Sequence, residues 1–142
     1  MQLNPYLFFK GRCEEAFRLY ERVLGGKIVM MQTYGDAPDP SQSPLKDHKL
    51  IMHARMTVGD EVLMGSDAPE DRFHTPQGFS VSLGINNPNE AERVFAGLSQ
   101  GDSNIIMPIA ETFWAERFGM LVDQFGTPWM INCEKKQQAS PL

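Results

Sequence analysis

The amino-acid sequence predicts an α+β fold in which two βαβββ modules form a curved mixed sheet around a cleft, with the helices on the outside. The first observation is an internal repeat, because residues 5–16 and 80–91 both read as a short strand followed by a helix, at an offset of 75 (80 − 5 = 75). The second is a later repeat at an offset of 66, which places Met64 over Met130 (130 − 64 = 66). The third is physical: a small sheet with one helix leaves a face uncovered, so two such modules must share a surface.

The first helix is predicted over residues 13–24, because its apolar side chains fall on one stripe at helical spacing. The pair Gly25-Gly26 supplies the stop. The stripe that we expect to be buried comprises Ala16, Phe17, Tyr20, Val23 and Leu24.

The second helix is predicted to begin at Pro88, with Asn87 as its N-cap and Glu90 in the position of a capping box. We expect it to end at Gly101. Its buried stripe comprises Ala91, Val94, Phe95 and Leu98.

Three strands are predicted after each helix, and Val58-Gly59-Asp60 is a predicted hairpin turn. The offset falls from 75 to 66 because the first half has a longer loop at 35–47, which we expect to be mobile or to lie over a pocket. The predicted strands are 27–33, 48–57, 61–66, 105–109, 118–122 and 129–133. The chain is thus predicted to be one domain over 1–136, with modules at about 1–67 and 78–134 and a flexible tail at 137–142.

Composition excludes several classes of protein. With 142 residues, 42% apolar and 22% charged, the chain has the make-up of a globular protein. No apolar run approaches the length of a membrane span, and no secretion signal is evident, so we expect a cytoplasmic protein without a membrane partner. A net charge of −5 argues against nucleic acid as a partner. Cys13 and Cys133 form no C-x-x-C pair and are expected to be ordinary thiols.

Five segments of the chain are similar to the PhnB-like family of the vicinal oxygen chelate superfamily, which includes glyoxalase I, extradiol dioxygenases, and the bleomycin- and fosfomycin-resistance proteins. The resemblance extends to about Glu134, and its more specific parts are Thr-Phe-Trp and Phe-Gly-Thr-Pro-Trp. The segments are PYLFF at 5–9, IMHA at 51–54, LMGSD at 63–67, ETFWAERFGM at 111–120 and DQFGTPWMIN at 123–132.

The resemblance also implies where a metal would be held, since metal-dependent members place ligands on the first and last strand of each module. Here those positions are Pro5, Met64, Ser80 and Met130. Proline has no side-chain donor atom, and a thioether is a poor ligand for hard or borderline divalent ions. One serine cannot replace several charged or imidazole ligands. We therefore expect neither a conventional metal site nor a cofactor.

If these positions face the cleft, alternation along the strands predicts the rest of its lining. Met64 should oppose Arg55, and Ser66 should oppose His53. The other predicted lining residues are Leu7, Phe9, Ser80, Ser82, Leu121, Met130 and Asn132. An apolar, methionine-rich lining with a few polar anchors is typical of a small-molecule pocket.

Each polar or aromatic candidate has two interpretations. His53 is either a general acid or base or a strand histidine hydrogen-bonded to a neighbour. Arg55 either holds an anionic ligand group or pairs with a carboxylate such as Glu61. Trp114 and the preceding aromatic residue either cap the pocket, pack across a dimer interface or belong to the core, whereas Trp129 is expected to face the helix side.

Three functions follow from these residues and the resemblance. The first is a small-molecule binder without the usual metal. The second is a lyase, isomerase or dioxygenase-like enzyme in which His53 acts as acid or base, or as an unconventional metal ligand. The third is a structural or regulatory dimer, and homodimerisation is expected in any case. PhnB-like proteins have also been labelled demethylubiquinone methyltransferases, but the chain lacks a glycine-rich strand–turn–helix loop for an adenosyl cofactor.

Overall fold

Two units of the chain repeat the same order of elements, one over Met1–Thr75 and the other from Pro76 onward. This computed structural model describes residues 1–136, so the predicted tail at 137–142 lies outside the described residues. Each unit contains a strand, a helix and three further strands, as the internal repeat predicted. No helix in the described range is long and apolar enough to cross a membrane.

The first module forms a four-stranded mixed sheet in the order β1-β4-β3-β2. Its first strand pairs in parallel with its last, and the other neighbours are antiparallel. Two short 3-10 turns lie in the long loop after β2. The elements are β1 (Tyr6–Phe9), α1 (Cys13–Leu24), β2 (Lys27–Thr33), β3 (Ile51–Val58) and β4 (Glu61–Asp67).

The second module repeats this topology in the order β5-β8-β7-β6, again with its first and last strands parallel. Strands β7 and β3 differ most from prediction, because β7 begins three residues earlier than expected and β3 three residues later. The elements are β5 (Val81–Gly84), α2 (Pro88–Leu98), β6 (Asn104–Ala110), β7 (Ala115–Val122) and β8 (Pro128–Glu134).

The helix ends follow from local chemistry. Gly25 adopts the left-handed conformation, with φ 68°, and its N–H donates to the Glu21 carbonyl, as expected of a glycine stop. The Asn87 side chain accepts hydrogen bonds from two backbone N–H groups at the start of α2. The predicted capping box is only half formed, because the Glu90 carboxylate binds Arg93 instead. Helix α2 also ends at Leu98, before the predicted stop.

Each helix packs on one face of its own sheet, and a strand glycine permits the close approach. A Cβ atom at Gly65 would lie 2.8 Å from the Phe17 ring of α1, and one at Gly119 would lie 2.6 Å from the Phe95 ring of α2. Both distances are too short for real contacts, so the aromatic rings occupy the space above the two glycines. Neither helix covers the opposite face of its sheet, which we call the open face of that module.

Asp67 joins three elements at the end of β4. Its buried carboxylate accepts hydrogen bonds from the backbone N–H of Cys13, 3.0 Å away at the start of α1, and of Ile51, 2.8 Å away at the start of β3. The Tyr34 hydroxyl donates to its carbonyl. Burial raises the pKa of the Asp67 carboxyl against the opposing effect of these donors.

Both cysteines are free, as predicted for ordinary thiols, and the structure shows that both are buried. Burial raises the pKa of the Cys13 thiol, and the carboxylates of Asp67 and Glu14 raise it further. A thiol that stays protonated and inaccessible is a weak nucleophile, so Cys13 is part of the core rather than of a reactive site.

Candidate functional site

The open face of the first module is formed by different β1 residues from those predicted. Tyr6 pairs with Met64, whereas Leu7 and Phe9 are buried on the helix side, where Phe9 contacts the rings of Phe17 and Tyr20. Leu7 and Phe9 are therefore core residues, and the prediction that they line a binding site was wrong.

The reason is a difference of one residue between the modules. Tyr6 lies beside Met64, and Ser82 lies beside Met130, so the first strands are offset by 76 (82 − 6 = 76). The helices keep the offset of 75, because Ala91 corresponds to Ala16 (91 − 16 = 75). The connection from β1 to α1 thus has one extra residue, and a slip of one residue moves every side chain to the opposite face.

His53 and Tyr6 form the polar centre of this face. The Tyr6 hydroxyl lies 3.1 Å from Nδ1 of His53, and the two rings stack with centroids 5.7 Å apart. The Tyr6 ring also contacts Phe8, which is 54% exposed on the same face. His53 is thus hydrogen-bonded to a neighbour, as one of its two interpretations predicted, and its Nε2 atom is left for other partners. Sequence reasoning did not select Tyr6 as a site residue.

Arg55 lies between two methionines. Its Cα partners are Met64 on β4, as predicted, and Met30 on β2. Arg55 is half-buried and forms no ion pair with Glu61 or with any other residue in 1–136. The alternative that Arg55 pairs with Glu61 was therefore wrong. A guanidinium that is flanked by thioethers and has no carboxylate partner among residues 1–136 favours an anion.

The open face of the second module is lined by uncharged residues over its central strands, and Glu134 lies at its edge, two residues after Asn132 at the end of β8. Ser82 lies beside Met130, which lies beside Met120. Leu121 was predicted to accompany Met130, but it pairs with Trp129 and is buried. This prediction was wrong because the side chains alternate: Trp129 is fully buried on the helix side, where its Nε1–H donates to Asp123 at 2.8 Å.

Asn132 lies on this open face between Gly84 and Phe118. Its Oδ1 atom is buried and has no hydrogen-bond partner in the described part of the chain. An unsatisfied buried acceptor costs about 1–3 kcal/mol. Beside it, a Cβ atom built at Gly84 would meet no atom within 4 Å, so the glycine leaves open space. Asn132 was predicted to be a polar anchor, and the structure places it on the predicted face.

An aromatic group borders Asn132. Trp114 is 45% exposed and Phe113 is 88% exposed, so the interpretation of these two residues as core was wrong. The Trp114 ring meets that of Phe118 edge to face at 5.4 Å. The Thr112 hydroxyl accepts hydrogen bonds from the backbone N–H groups of Trp114 and Ala115, which fixes the turn before β7.

The donor atoms on the open faces do not suit a divalent metal ion. The strand register replaces Pro5 and Ser80 with Tyr6 and Ser82 as the partners of Met64 and Met130. A thioether and a phenol in the first module are poor ligands for manganese or zinc, and so are a thioether and a hydroxyl in the second. No group of three or more His, Cys, Asp or Glu side chains suited to a metal occurs among residues 1–136. The donor set therefore does not fit the metal that the fold family uses.

Comparison with known proteins gives a consistent result. The model of the family described as 3-demethylubiquinone-9 3-methyltransferase matches residues 1–132. Protein YjdN of Escherichia coli K12 is 34% identical over 145 residues, covering 96% of this chain and 98% of that protein.

Solved structures agree. Protein PA1353 from Pseudomonas aeruginosa is 42% identical, with a TM-score of 0.85 over 96% of this chain and 99% of that one. A putative 3-demethylubiquinone-9 3-methyltransferase, PhnB protein, from Bacillus cereus is 25% identical, with a TM-score of 0.78 over 94% and 99%. A point mutant of the fosfomycin resistance protein FosX from Listeria monocytogenes, in complex with Mn(II) and 1S,2S-dihydroxypropylphosphonic acid, is 9% identical, with a TM-score of 0.65 over 95% and 92%. This last likeness shows the fold alone.

Proposed function

This chain belongs to the PhnB-like family of the glyoxalase/bleomycin resistance superfamily, and from that membership we propose that it binds a small molecule on its open sheet faces without the usual metal. The residues that we assign to binding are the open-face members of the predicted set together with those that the strand register adds. They are Tyr6, Phe8, His53, Arg55, Met64, Ser80, Ser82, Trp114, Phe118, Met120, Met130 and Asn132.

The observation that supports this proposal most directly is the environment of Arg55. A half-buried guanidinium between Met30 and Met64 has lost hydration without gaining a carboxylate among the described residues. An anionic group of a ligand would accept its hydrogen bonds, and the thioethers would adapt to the apolar part of the same molecule. We therefore expect the first module to bind an anion with an apolar body.

A titration with the fluorescent anion 8-anilinonaphthalene-1-sulfonate tests the role of Arg55. A charge-assisted hydrogen bond contributes about 1.5–3 kcal/mol, so Arg55→Gln should weaken binding by about tenfold or more. Arg22→Gln is the matched control, because Arg22 is exposed on α1 and lies away from the open face. Equal affinities for wild type and Arg55→Gln would overturn the proposal.

The absence of a metal requirement is tested separately by mass spectrometry of the purified protein, before and after divalent ions are added. We expect less than stoichiometric metal, because the donor set is unsuitable. One tightly held ion per chain would refute this part of the proposal, and His53 would become the first ligand to examine.

A second candidate function is an enzyme in which His53 acts as acid or base. The hydrogen bond between Tyr6 and Nδ1 of His53 favours this enzymatic role, because an imidazole that is hydrogen-bonded through Nδ1 presents Nε2 in a fixed direction. Turnover of substrates of the superfamily's glyoxalase or fosfomycin-resistance members would support this function if His53→Gln abolished it and left sulfonate binding intact. Turnover that survives His53→Gln would refute it.

The family description also names a methyltransferase. The connection from β1 to α1 contains a single glycine, Gly11, in place of a glycine-rich loop. We therefore rank methyl transfer below binding. Transfer of a labelled methyl group from S-adenosylmethionine to a demethylubiquinone would reverse this order.

Homodimerisation remains part of the proposal. Three neighbouring apolar residues of the edge strand β6 are exposed, namely Ile105, Ile106 and Met107, and such surface supports association with a second copy. Light scattering should give twice the chain mass of 16.0 kDa. A monomeric mass would contradict dimerisation. A cytoplasmic location and the lack of a nucleic-acid partner also remain expectations.

A further inference from the structure

We infer that the open face of the second module binds a neutral, planar ligand that carries an N–H donor next to a carbonyl acceptor, such as a lactam or a cyclic imide, through the side-chain amide of Asn132. This inference rests on the proposed function, since it names the ligand class for one of the two open faces. It concerns only residues of the second module.

The first ground is the unsatisfied amide. The Oδ1 atom of Asn132 is buried and has no partner among the described residues. Buried polar atoms in folded proteins almost always have a partner, so this atom requires one from outside the described chain. A ligand N–H is suitable, because Oδ1 can only accept a hydrogen bond.

The second ground is the space beside the amide. Gly84 is the Cα partner of Asn132, and no atom lies within 4 Å of the position that a Cβ atom would take there. Gly84 is exposed, so this gap opens to solvent, and a residue with any side chain would narrow it. Oδ1 is buried as the side chain stands, so the proposed contact requires the Asn132 amide to rotate toward a molecule that occupies this gap.

The third ground is the chemistry of the surrounding surface. Ser82, Met120 and Met130 provide no charge, and Glu134 at the exposed end of β8 is a carboxylate, in contrast to Arg55 on the first module. Trp114 and Phe118 provide an edge-to-face aromatic pair, of which Trp114 is 45% exposed. An anionic ligand would lose hydration here without a counter-charge, whereas a flat neutral ring can stack on the exposed indole.

The geometry of the amide group completes the choice of ligand class. The asparagine side chain offers one acceptor and two donors side by side. A cyclic amide holds its own N–H and C=O on the same edge, so the two groups can form a pair of hydrogen bonds. A molecule with only an N–H group or only a carbonyl would form one of these two hydrogen bonds.

The test compares two probes that differ in a single donor, quinolin-2(1H)-one and 1-methylquinolin-2(1H)-one. Binding is followed by the indole N–H signals of the two tryptophans in ¹H–¹⁵N spectra. Trp114 should shift, whereas Trp129, which is buried and bonded to Asp123, should not. We expect the N–H lactam to bind about tenfold more tightly than its N-methyl analogue, which corresponds to about 1.4 kcal/mol.

Two variants and one control connect this difference to the site. Asn132→Leu should remove the tenfold preference, and it should fold normally because it deletes an unpaired amide and keeps the side-chain shape. Gly84→Val should weaken both probes by about tenfold by filling the gap. Asn89→Leu, the same exchange at an exposed position of α2, should leave both affinities unchanged within twofold.

The inference is overturned if the two probes bind wild type equally, if Trp114 does not shift up to the solubility limit, or if the preference survives Asn132→Leu. An internal water on Asn132 would give the first or second of these results. The sulfonate titration on Arg55 is independent, because it concerns the first module. If sulfonate binding depends on Arg55 but the two lactam probes bind equally, only this inference is refuted. If the lactam preference is present but sulfonate binding does not depend on Arg55, only the anion site is refuted.

Discussion

The contact between α2 and its sheet predicts a specific cost for one methyl group. In Gly119→Ala the new Cβ atom would lie 2.6 Å and 2.9 Å from two carbons of the Phe95 ring and 3.1 Å from the Cα atom of Ile109. Ordinary contact begins at 3.4 Å, so the ring edge must move by about 0.8 Å (3.4 − 2.6 = 0.8). Phe95 is buried in the core, and the backbone of β6 lies on the other side of the new methyl group.

Overpacking of a filled core costs about 1–3 kcal/mol, and the 2.6 Å approach to a buried ring places this change at the upper end, about 3 kcal/mol. For a chain of this length, that loss lowers Tm by about 6–12 °C. Thermal and urea unfolding followed by circular dichroism measure it. Gly84→Ala is the matched control in the same sheet, because a Cβ atom there meets nothing within 4 Å. It should change stability by at most about 1 kcal/mol, in the stabilising direction.

A double variant identifies the cause. Phe95→Leu removes the ring that obstructs the new methyl group, so the loss in Gly119→Ala should be smaller in that background by about 1–2 kcal/mol. Additive losses would show that the ring contact is not responsible. A Tm for Gly119→Ala within 1–2 °C of wild type, on the order of the control, would refute the packing argument altogether.

Three further predictions concern buried and polar groups. Cys13 and Cys133 are fully buried, so a thiol reagent such as 5,5′-dithiobis(2-nitrobenzoate) should react with neither in the native protein and with both in denaturant; rapid native labelling would contradict the structure. The pKa of the Asp67 carboxyl is raised in the folded state, so the folded protein binds this proton more tightly than the unfolded chain does. The stability of wild type relative to Asp67→Asn should therefore fall as the pH rises through and above the ordinary value of 3.8. Urea midpoints at several pH values measure this difference, and a difference that grows with pH would give the wrong sign. Tyr6→Phe removes the hydroxyl that lies 3.1 Å from Nδ1 of His53, so the ratio of the two neutral imidazole tautomers should change in long-range ¹H–¹⁵N spectra. An unchanged spectrum would exclude the bond.

The helices were predictable because their signals are local. Helix α1 spans the predicted residues, since the apolar stripe and Gly25 lie within one short segment. Asn87 and Pro88 likewise fix the start of α2. The end of α2 was predicted less accurately, because Leu98 is followed by Ser99 rather than directly by a glycine. The backbone N–H of Ser99 caps the helix by donating to the Phe95 carbonyl.

Strand faces were only partly predictable, and the reason lies in the composition of the strands. In β1, Tyr6, Leu7, Phe8 and Phe9 are all apolar or aromatic, so period-two alternation is absent and either face could be the buried one. Met120 and Leu121 pose the same problem in β7. By contrast, the pairing of Arg55 with Met64 followed correctly from the short hairpin turn, which fixes the register.

The candidate site depended on information that a sequence does not contain. Asn132 was recognisable as a polar residue among apolar ones, but its missing partner depends on every atom around it. Gly84 and Gly119 are the same residue type, but the space beside Gly84 is open and the space beside Gly119 is filled. Only tertiary contacts distinguish the two positions. The selection of Tyr6 required the register of β1, since its partner His53 is 47 positions away.

The parallel pairing of first and last strands has a consequence for how the chain folds as it is made. Tyr6 cannot pair with Met64 until Met64 has been synthesised, 58 residues later (64 − 6 = 58). Until then the apolar residues of β1 remain unpaired, while α1 and the β2–β3 pair can already form. All strand pairs of the first module nevertheless lie within its own unit. The first module can therefore complete its sheet while the second is still being translated, which limits the time that unpaired apolar strands are exposed to other nascent chains.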